Sequence, residues 1–212
     1  MSRPFFSVIV PAHNSGKYIH NLFLSINEQS FQNFELIVVC DKCSDNTFET
    51  ADLFTYKSRG DKVLVTDYGM DGLARNAGID AAEGEWILFA DDDDWWIHEY
   101  VLEEIHAVIT SLVIEPDIVC FDFIWKGKGY FSNNLSGMNI AVWSKAFRRE
   151  FIGDTRFPAI PFTSDKPFMD EICAKNPRGF AMHELMYYYN YMRDGSQTEQ
   201  HARMGRQFSK PD

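Results

Sequence analysis

The chain of 212 residues carries 31 acidic and 20 basic side chains, which gives a formal net charge of −11. A surface that neutralises nucleic-acid phosphates needs an excess of basic residues, so we expect no nucleic-acid partner. A composition of 45% hydrophobic and 24% charged residues is typical of a folded globular domain and argues against a disordered chain.

No apolar run of the sequence approaches the roughly 20 residues that span a bilayer. The apolar stretch over residues 5–10 is also too short for the hydrophobic region of a secretion signal. We therefore expect a cytoplasmic protein, and contact with the inner face of the membrane is left open. Cys40 and Cys43 have CxxC spacing, but no second cysteine or histidine pair completes a zinc site, so reduced thiols are expected.

The first half of the chain alternates apolar runs with amphipathic segments. Strands are predicted over residues 5–10, 34–39, 62–65, 86–90 and 117–123. Helices are predicted over residues 18–26, 48–54, 73–82 and 101–112, from apolar side chains at helical spacing and from cap residues at 44–46. Strands that alternate with helices indicate a mostly parallel, doubly wound α/β sheet, whose ligands bind at the carboxyl ends of the strands.

Beyond residue 124 the alternation weakens into segments rich in glycine, asparagine and proline. No composition shift or internal repeat marks a boundary there. We therefore predict one domain over residues 1–212, with a first half at 1–124 and a smaller second lobe at 125–212.

Four adjacent aspartates, Asp91 to Asp94, directly follow the fourth predicted strand. Two carboxylates about 4 Å apart repel by roughly 4 kcal/mol at an effective dielectric constant of 20, so such a cluster needs compensation. At the ligand edge of a sheet, a hard divalent cation with oxygen ligands is a suitable compensation. Such a cation can hold a diphosphate leaving group, which favours transfer from a nucleotide-diphosphate donor.

The order of several motifs resembles that of glycosyltransferase family two. The matching segments are Val-Ile-Val-Pro-Ala-His-Asn at 8–14, residues 34–47, Ala-Arg-Asn-Ala-Gly at 74–78, Phe-Ala-Asp-Asp-Asp-Asp-Trp at 89–95, residues 143–150 and residues 187–196. The resemblance spans almost the whole chain and implies a GT-A-type fold and inverting, nucleotide-sugar-dependent transfer. It also implies that residues 1–124 form the nucleotide-sugar-binding half and residues 125–212 the acceptor-binding half.

The same resemblance implies roles for individual residues in binding the donor. Pro11, Ala12 and His13 would line the pocket for the base and ribose, and Asp41 would hydrogen-bond the base. Arg75 would face the base or the diphosphate.

The aspartate cluster supplies the family's DxD pair. Asp91 and Asp93 would form it, with Asp93 as the direct ligand of Mn²⁺ or Mg²⁺ and Asp91 nearer the ribose; Asp92 would also contact the nucleotide sugar.

The general base of the family is an aspartate that follows a glutamate, in a loop before a hydrophobic helix. Asp165 occupies that place, and Ser164 replaces the glutamate. Asp170 and Glu171 are nearby alternatives. The chain also departs from the family at Cys40, where an aspartate is usual, which puts the identity of the nucleotide in doubt.

The sequence thus predicts an inverting glycosyltransferase of bacterial surface polysaccharide or glycan synthesis. The expected donor is a nucleotide-diphosphate sugar, with a UDP-sugar favoured, and the expected acceptor is a saccharide or lipid-linked saccharide. A non-catalytic sugar-nucleotide-binding protein and a nucleotidyltransferase are the alternatives. The glycine-rich basic loop usual for a nucleotidyltransferase is not found after the first strand, where residues 11–17 contain one glycine.

Overall fold

The computed structural model describes residues 3–133 and 140–191. Its strands are β1 (Phe6–Ala12), β2 (Phe34–Asp41), β3 (Lys62–Thr66), β4 (Trp86–Phe89), β5 (Trp95–Trp96), β6 (Ile118–Trp125), β7 (Gly129–Phe131), β8 (Lys145–Arg148) and β9 (Gly179–Tyr189). Its α-helices are α1 (Ile19–Asn27), α2 (Thr47–Phe54), α3 (Asp71–Ala81), α4 (Val101–Ser111), α5 (Arg149–Ile152) and α6 (Asp165–Ala174). Two short 3₁₀ helices occupy Lys57–Arg59 and Val142–Ser144.

These described strands form one mixed sheet in the order β3-β2-β1-β4-β8-β6-β9-β5, and β7 pairs with β6. Strands β3, β2, β1 and β4 are parallel, as are β6 and β9, whereas β8 runs antiparallel between β4 and β6. The predicted mostly parallel α/β fold is confirmed. Strands from both halves of the chain belong to the same sheet, and the assignment of the second half to an acceptor stays a prediction.

Helices cover both faces of the sheet, which explains the uninterrupted apolar run of β1. Val8 and Val10 pack into the core that α1 and α4 cover, and Ile9 packs into the core under α3 and α6. Because successive strand side chains point to opposite faces, a strand buried on both faces must be apolar at every position.

The five strands and four helices predicted in the first half are all present, with ends shifted by a few residues. The sequence did not predict β5, a two-residue strand in which Trp95 pairs with Tyr188 and Trp96 with Tyr187. A strand this short cannot display the alternation that identifies strands in a sequence. Helix α3 also begins at Asp71 rather than at residue 73, which places Asp71 on the same helix as Arg75.

Gly78 allows α3 to pack directly against β1. A Cβ atom at this position would lie 2.3 Å from Cγ2 of Ile9, a buried core residue. We expect Gly78→Ala to lower the free energy of unfolding by about 1–3 kcal/mol, because the helix must move away from the sheet. Urea denaturation measures the change, and Asp80→Ala on the exposed side of the same helix is the control. A Gly78→Ala protein of unchanged stability would contradict this close packing.

In the described ranges, no helix is long and apolar enough to cross a bilayer.

Candidate active site

The carboxyl ends of β1, β2 and β4 bring several of the predicted residues together at one edge of the sheet. The backbone N–H of His13, just after β1, donates to Asp92 Oδ2 at 3.0 Å. Nδ1 of the same His13 lies 2.7 Å from the backbone oxygen of Asp41, at the end of β2. Pro11 and Ala12 are buried at the end of β1, whereas the His13 side chain is exposed. The parallel strand order therefore places His13 between the end of β2 and the aspartate cluster.

Arg75 lies at the centre of a group of carboxylates. Its Nη1 is 2.5 Å from Asp71 Oδ2 and 3.4 Å from Asp165 Oδ1, and its Nη2 is 2.7 Å from Asp91 Oδ1. The Arg75 side chain is only 5% exposed, so these ion pairs are shielded from water and fix the arginine firmly. The contact with base or diphosphate that the resemblance implies stays a prediction, and it would require Arg75 to exchange or share one of these partners.

Asp165 is the first residue of α6, and its carboxylate faces Arg75 across 3.4 Å. Burial raises the pKa of Asp165 to about 6; Arg75 opposes this shift, whereas the charges of Asp91 and Asp71 add to it. The raised pKa gives a carboxylate that is ionised at neutral pH and is more basic than an exposed aspartate. Such a group is suited to removing a proton.

The two sequence alternatives to Asp165 lie elsewhere on α6. Asp170 forms an ion pair with Lys166 at 2.6 Å and is exposed. Glu171 accepts a hydrogen bond from Thr155 Oγ1 at 2.9 Å. Of these three carboxylates, Asp165 is the one that the structure places against Arg75.

Asp41 uses its buried carboxylate to hold the segment between β3 and α3. It accepts hydrogen bonds from Thr66 Oγ1 at 2.8 Å, from the N–H of Tyr68 at 2.7 Å and from the N–H of Met70 at 3.1 Å. A carboxylate has about four acceptor positions, and these three hydrogen bonds occupy most of them. The predicted contact of Asp41 with a base stays a prediction.

The aspartate cluster forms a tight turn in which Asp94 differs from its neighbours. Asp94 is fully buried, and its carboxylate accepts hydrogen bonds from the Tyr187 hydroxyl at 2.8 Å and from the N–H of Asn190 at 2.7 Å. The Tyr187 oxygen in turn accepts the N–H of Asp91 at 3.0 Å. Burial, together with the charges of Asp93 and Asp91, raises the pKa of Asp94 well above its usual value. Asp94 therefore anchors the turn to the end of β9.

We expect Asp94→Ala to lower the free energy of unfolding by about 1–3 kcal/mol, because the Tyr187 hydroxyl and the Asn190 N–H lose their buried acceptor. Thermal denaturation checks this. Tyr187→Phe removes the hydrogen bond to Asp94 and also the acceptor of the Asp91 N–H, so we expect a loss of similar size. Equal stability of Asp94→Ala and the wild type would show that this anchor is dispensable.

Asp91, Asp92 and Asp93 are partly exposed, unlike Asp94. One oxygen of Asp91 is bonded to Arg75, and one oxygen of Asp92 accepts the His13 N–H. Among the described residues, no three His, Cys, Asp or Glu side chains are arranged to hold a metal ion. Mg²⁺-like cations are often held by one or two carboxylates together with substrate phosphates. The oxygen donors of Asp91 and Asp93 fit such a shared site, and they do not fit a metal held by the protein alone.

Sequence reasoning missed two participants in this site. Asp71 bonds Arg75 and accepts a hydrogen bond from Ser164 Oγ at 3.2 Å; its spacing of four residues from Arg75 on one helix was the available signal. Tyr187 anchors the aspartate turn, and no local pattern links it to residues more than ninety positions earlier. Residues 192–196 of the last matching segment lie outside the described residues.

The architecture belongs to a known class. Residues 1–349 of Staphylococcus aureus TarS, solved in complex with UDP-GlcNAc, superpose with a TM-score of 0.79 at 27% identity, covering 92% of this chain and 60% of that one. A Pyrobaculum calidifontis mannosyltransferase, PcManGT, in complex with GDP-Man and Mn²⁺, superposes with a TM-score of 0.70 at 16% identity, covering 100% of this chain and 66% of that one, and supports the fold alone. The chain has the GT-A-type glycosyltransferase fold.

The family model described as Glycosyl transferase family 2 matches residues 7–169. This chain therefore belongs to glycosyltransferase family 2, as its motifs predicted.

Curated relatives agree with this assignment. Glycosyltransferase GlyG of Streptococcus pneumoniae is 37% identical over 162 residues, which cover 74% of this chain and 53% of that protein. The amylovoran biosynthesis glycosyltransferase AmsB of Erwinia amylovora is 34% identical over 115 residues, which cover 53% of this chain and 38% of that protein. The chain thus spans about half or less of the length of these relatives.

Proposed function

We propose that this protein is an inverting glycosyltransferase that moves a sugar from a nucleotide-diphosphate donor to a hydroxyl group of a saccharide or lipid-linked saccharide. The observation that carries the proposal is the position of Asp165. Its basic carboxylate lies beside Arg75 and the aspartate turn, at the carboxyl edge of a GT-A-type sheet. A base and a candidate diphosphate site at one sheet edge are what a single displacement requires.

In the proposed reaction, Asp165 takes the proton of the acceptor hydroxyl as its oxygen attacks the anomeric carbon. The bond between that carbon and the diphosphate oxygen breaks on the opposite face, so the anomeric configuration inverts. The proton ends on Asp165 and the electron pair on the nucleoside diphosphate. Asp165 can act in this way only when ionised, which its pKa of about 6 permits at neutral pH.

Arg75 has a positioning role in this proposal. Its ion pairs with Asp91 and Asp71 fix the guanidinium, and the guanidinium in turn fixes the direction of the Asp165 carboxylate. Asp91 and Asp93 would hold Mn²⁺ or Mg²⁺ together with the donor phosphates. When bound, such a cation neutralises charge on the leaving diphosphate.

A UDP-sugar is the donor that we propose first. The TarS structure with UDP-GlcNAc supports this choice, since it resembles this chain at 27% identity over 92% of this chain. The name of the AmsB relative supports a role in bacterial polysaccharide synthesis. We also propose that the second half of the chain, residues 125–212, binds the acceptor and so selects it.

The test is release of nucleoside diphosphate. Purified protein is incubated with UDP-GlcNAc, UDP-glucose, UDP-galactose or GDP-mannose, each with Mn²⁺ and a mixture of saccharide acceptors. We expect one donor to raise the melting temperature and to yield nucleoside diphosphate, since a ligand of the native state stabilises it. Stabilisation by a donor without any release, even by slow hydrolysis, would instead indicate the non-catalytic sugar-nucleotide-binding protein.

A further inference from the structure

Cys40 and Cys43 lie on the wall of the proposed nucleotide pocket. Cys40 is fully buried near the end of β2, where it pairs in register with Ala12 of β1. Lys42 has a left-handed backbone with φ of 55°, which turns the chain so that Cys43 folds back toward the strand. The Cys43 Sγ atom then lies 3.3 Å from the backbone oxygen of Ala12 and donates to it. The turn therefore brings the second cysteine back against the end of β1, beside the strand that carries the first.

The two thiols interact, because Cys43 packs against the core cluster that contains Cys40 and a hydrogen bond between the two side chains contributes to the pKa of each. This hydrogen bond lowers the pKa of Cys43 to about 7, with a further contribution from a backbone hydrogen bond at Asn14 and against the effect of burial. The same contact, together with burial, raises the pKa of Cys40. Cys43 is partly exposed, so a substantial fraction is an accessible thiolate at neutral pH.

The remaining two cysteines lack this combination. None of the four cysteines, all of which lie in the described ranges, is paired in a disulfide in this structure. Cys120 is buried, and burial raises its pKa. Cys173 is exposed on α6. The accessible, activated thiol with a second thiol against it is therefore at Cys43.

We propose that Cys40 and Cys43 form a reversible disulfide, closed by exchange with a low-molecular-weight disulfide such as oxidised glutathione. The Cys43 thiolate attacks one sulfur of the oxidant, forming a mixed disulfide and releasing one thiolate. That thiolate takes the proton of Cys40, whose sulfur then attacks Cys43 and releases the second glutathione thiolate. The protein loses two electrons and two protons in total, and the oxidant gains them to become two thiols.

Closing this bond changes the geometry of the proposed donor pocket. Asp41 lies between the two cysteines; its backbone oxygen contacts His13, and its carboxylate holds the segment before α3. A bond between the flanking sulfurs removes the Cys43 hydrogen bond to Ala12 and constrains the backbone at Asp41. This consequence rests on the proposed function, and we expect the oxidised protein to bind UDP about tenfold more weakly, equivalent to losing one hydrogen bond.

The disulfide is tested on the full chain without any sugar nucleotide. The protein is equilibrated with oxidised or reduced glutathione, remaining thiols are alkylated, and peptides are identified by mass spectrometry. We expect a Cys40–Cys43 link that dithiothreitol reverses. In Cys40→Ser, Cys43 should retain one glutathione, because the resolving thiol is gone. Cys173→Ser should form the link as the wild type does.

Two outcomes would overturn the disulfide: alkylation of both thiols after oxidation, or a wild-type protein that keeps glutathione on Cys43 with Cys40 still free. Calorimetry with UDP then compares the reduced and oxidised forms. Equal affinity overturns the effect on the pocket. If the reduced protein binds neither UDP nor any sugar nucleotide, the proposed function fails, and the peptide result alone decides the disulfide.

Discussion

Asp165→Asn is expected to lower turnover by about 10²- to 10⁴-fold, because the acceptor hydroxyl loses its proton acceptor. Donor binding should be largely unchanged, since the amide keeps the size of the carboxylate and can still accept the backbone hydrogen bond from Val142. Steady-state kinetics and calorimetry with the donor identified by the nucleotide-release assay measure the two quantities. Asp80→Asn, an exposed substitution on α3, is the matched control. Turnover near that of the wild type would assign the base elsewhere.

The same variant should be more stable than the wild type at neutral pH. The pKa of Asp165 is raised to about 6 in the folded protein, so ionisation of this group opposes folding. The wild-type protein therefore has its full stability at pH values below the pKa of Asp165 in the unfolded chain, where the group is protonated in both states. It loses part of this stability as the pH rises through about 6, the pKa in the folded protein. We therefore expect Asp165→Asn to gain about 1–3 kcal/mol near pH 8 and little near pH 4.

Lower turnover together with higher stability of Asp165→Asn distinguishes a catalytic role of Asp165 from damage to the fold. Wild-type turnover should rise as the pH increases through about 6, because Asp165 ionises there. The residual turnover of Asp165→Asn should not show this rise. Loss of turnover together with a lower melting temperature at pH 8 would indicate damage to the fold instead. Denaturant titrations at the two pH values provide the comparison.

Asp93→Ala is expected to abolish donor binding that depends on Mn²⁺. Asp93 is partly exposed in the aspartate turn, so its carboxylate can contribute to a cation shared with the donor phosphates. Calorimetry with UDP, with and without Mn²⁺, measures the effect. The wild type should bind more tightly in Mn²⁺, and the variant should bind equally weakly in both conditions.

The fold of Asp93→Ala should be unaffected, in contrast to Asp94→Ala, because Asp94 carries the hydrogen bonds that anchor the turn. Asp52→Ala, an exposed acidic residue on α2, controls for the change in net charge. Undiminished Mn²⁺-dependent binding by Asp93→Ala would remove Asp93 from the metal site.

Local patterns in the sequence were sufficient for five strands and four helices of the first half, whereas no element after β6 was predicted. The apolar run of β1 and the helical spacing in α1 and α4 are consequences of burial on both faces of a parallel sheet, so they identified these elements directly. The motif order identified the family before any contact was known. The two-residue strand β5 could not be predicted, because its existence depends on pairing with β9 far along the chain.

For the candidate site, the sequence by itself determined which chemical groups stand at the ends of the strands: the aspartate run, Asp41 and the arginine of α3. Only the tertiary structure decided which of these groups has a structural role and which is placed to react. It buried Asp94 against Tyr187 as an anchor, placed Asp71 on Arg75, and set Asp165, rather than Asp170 or Glu171, against that arginine. The physical reason is that burial and charge pairing arise from residues distant in sequence, and these interactions determine whether a carboxylate binds, supports or reacts.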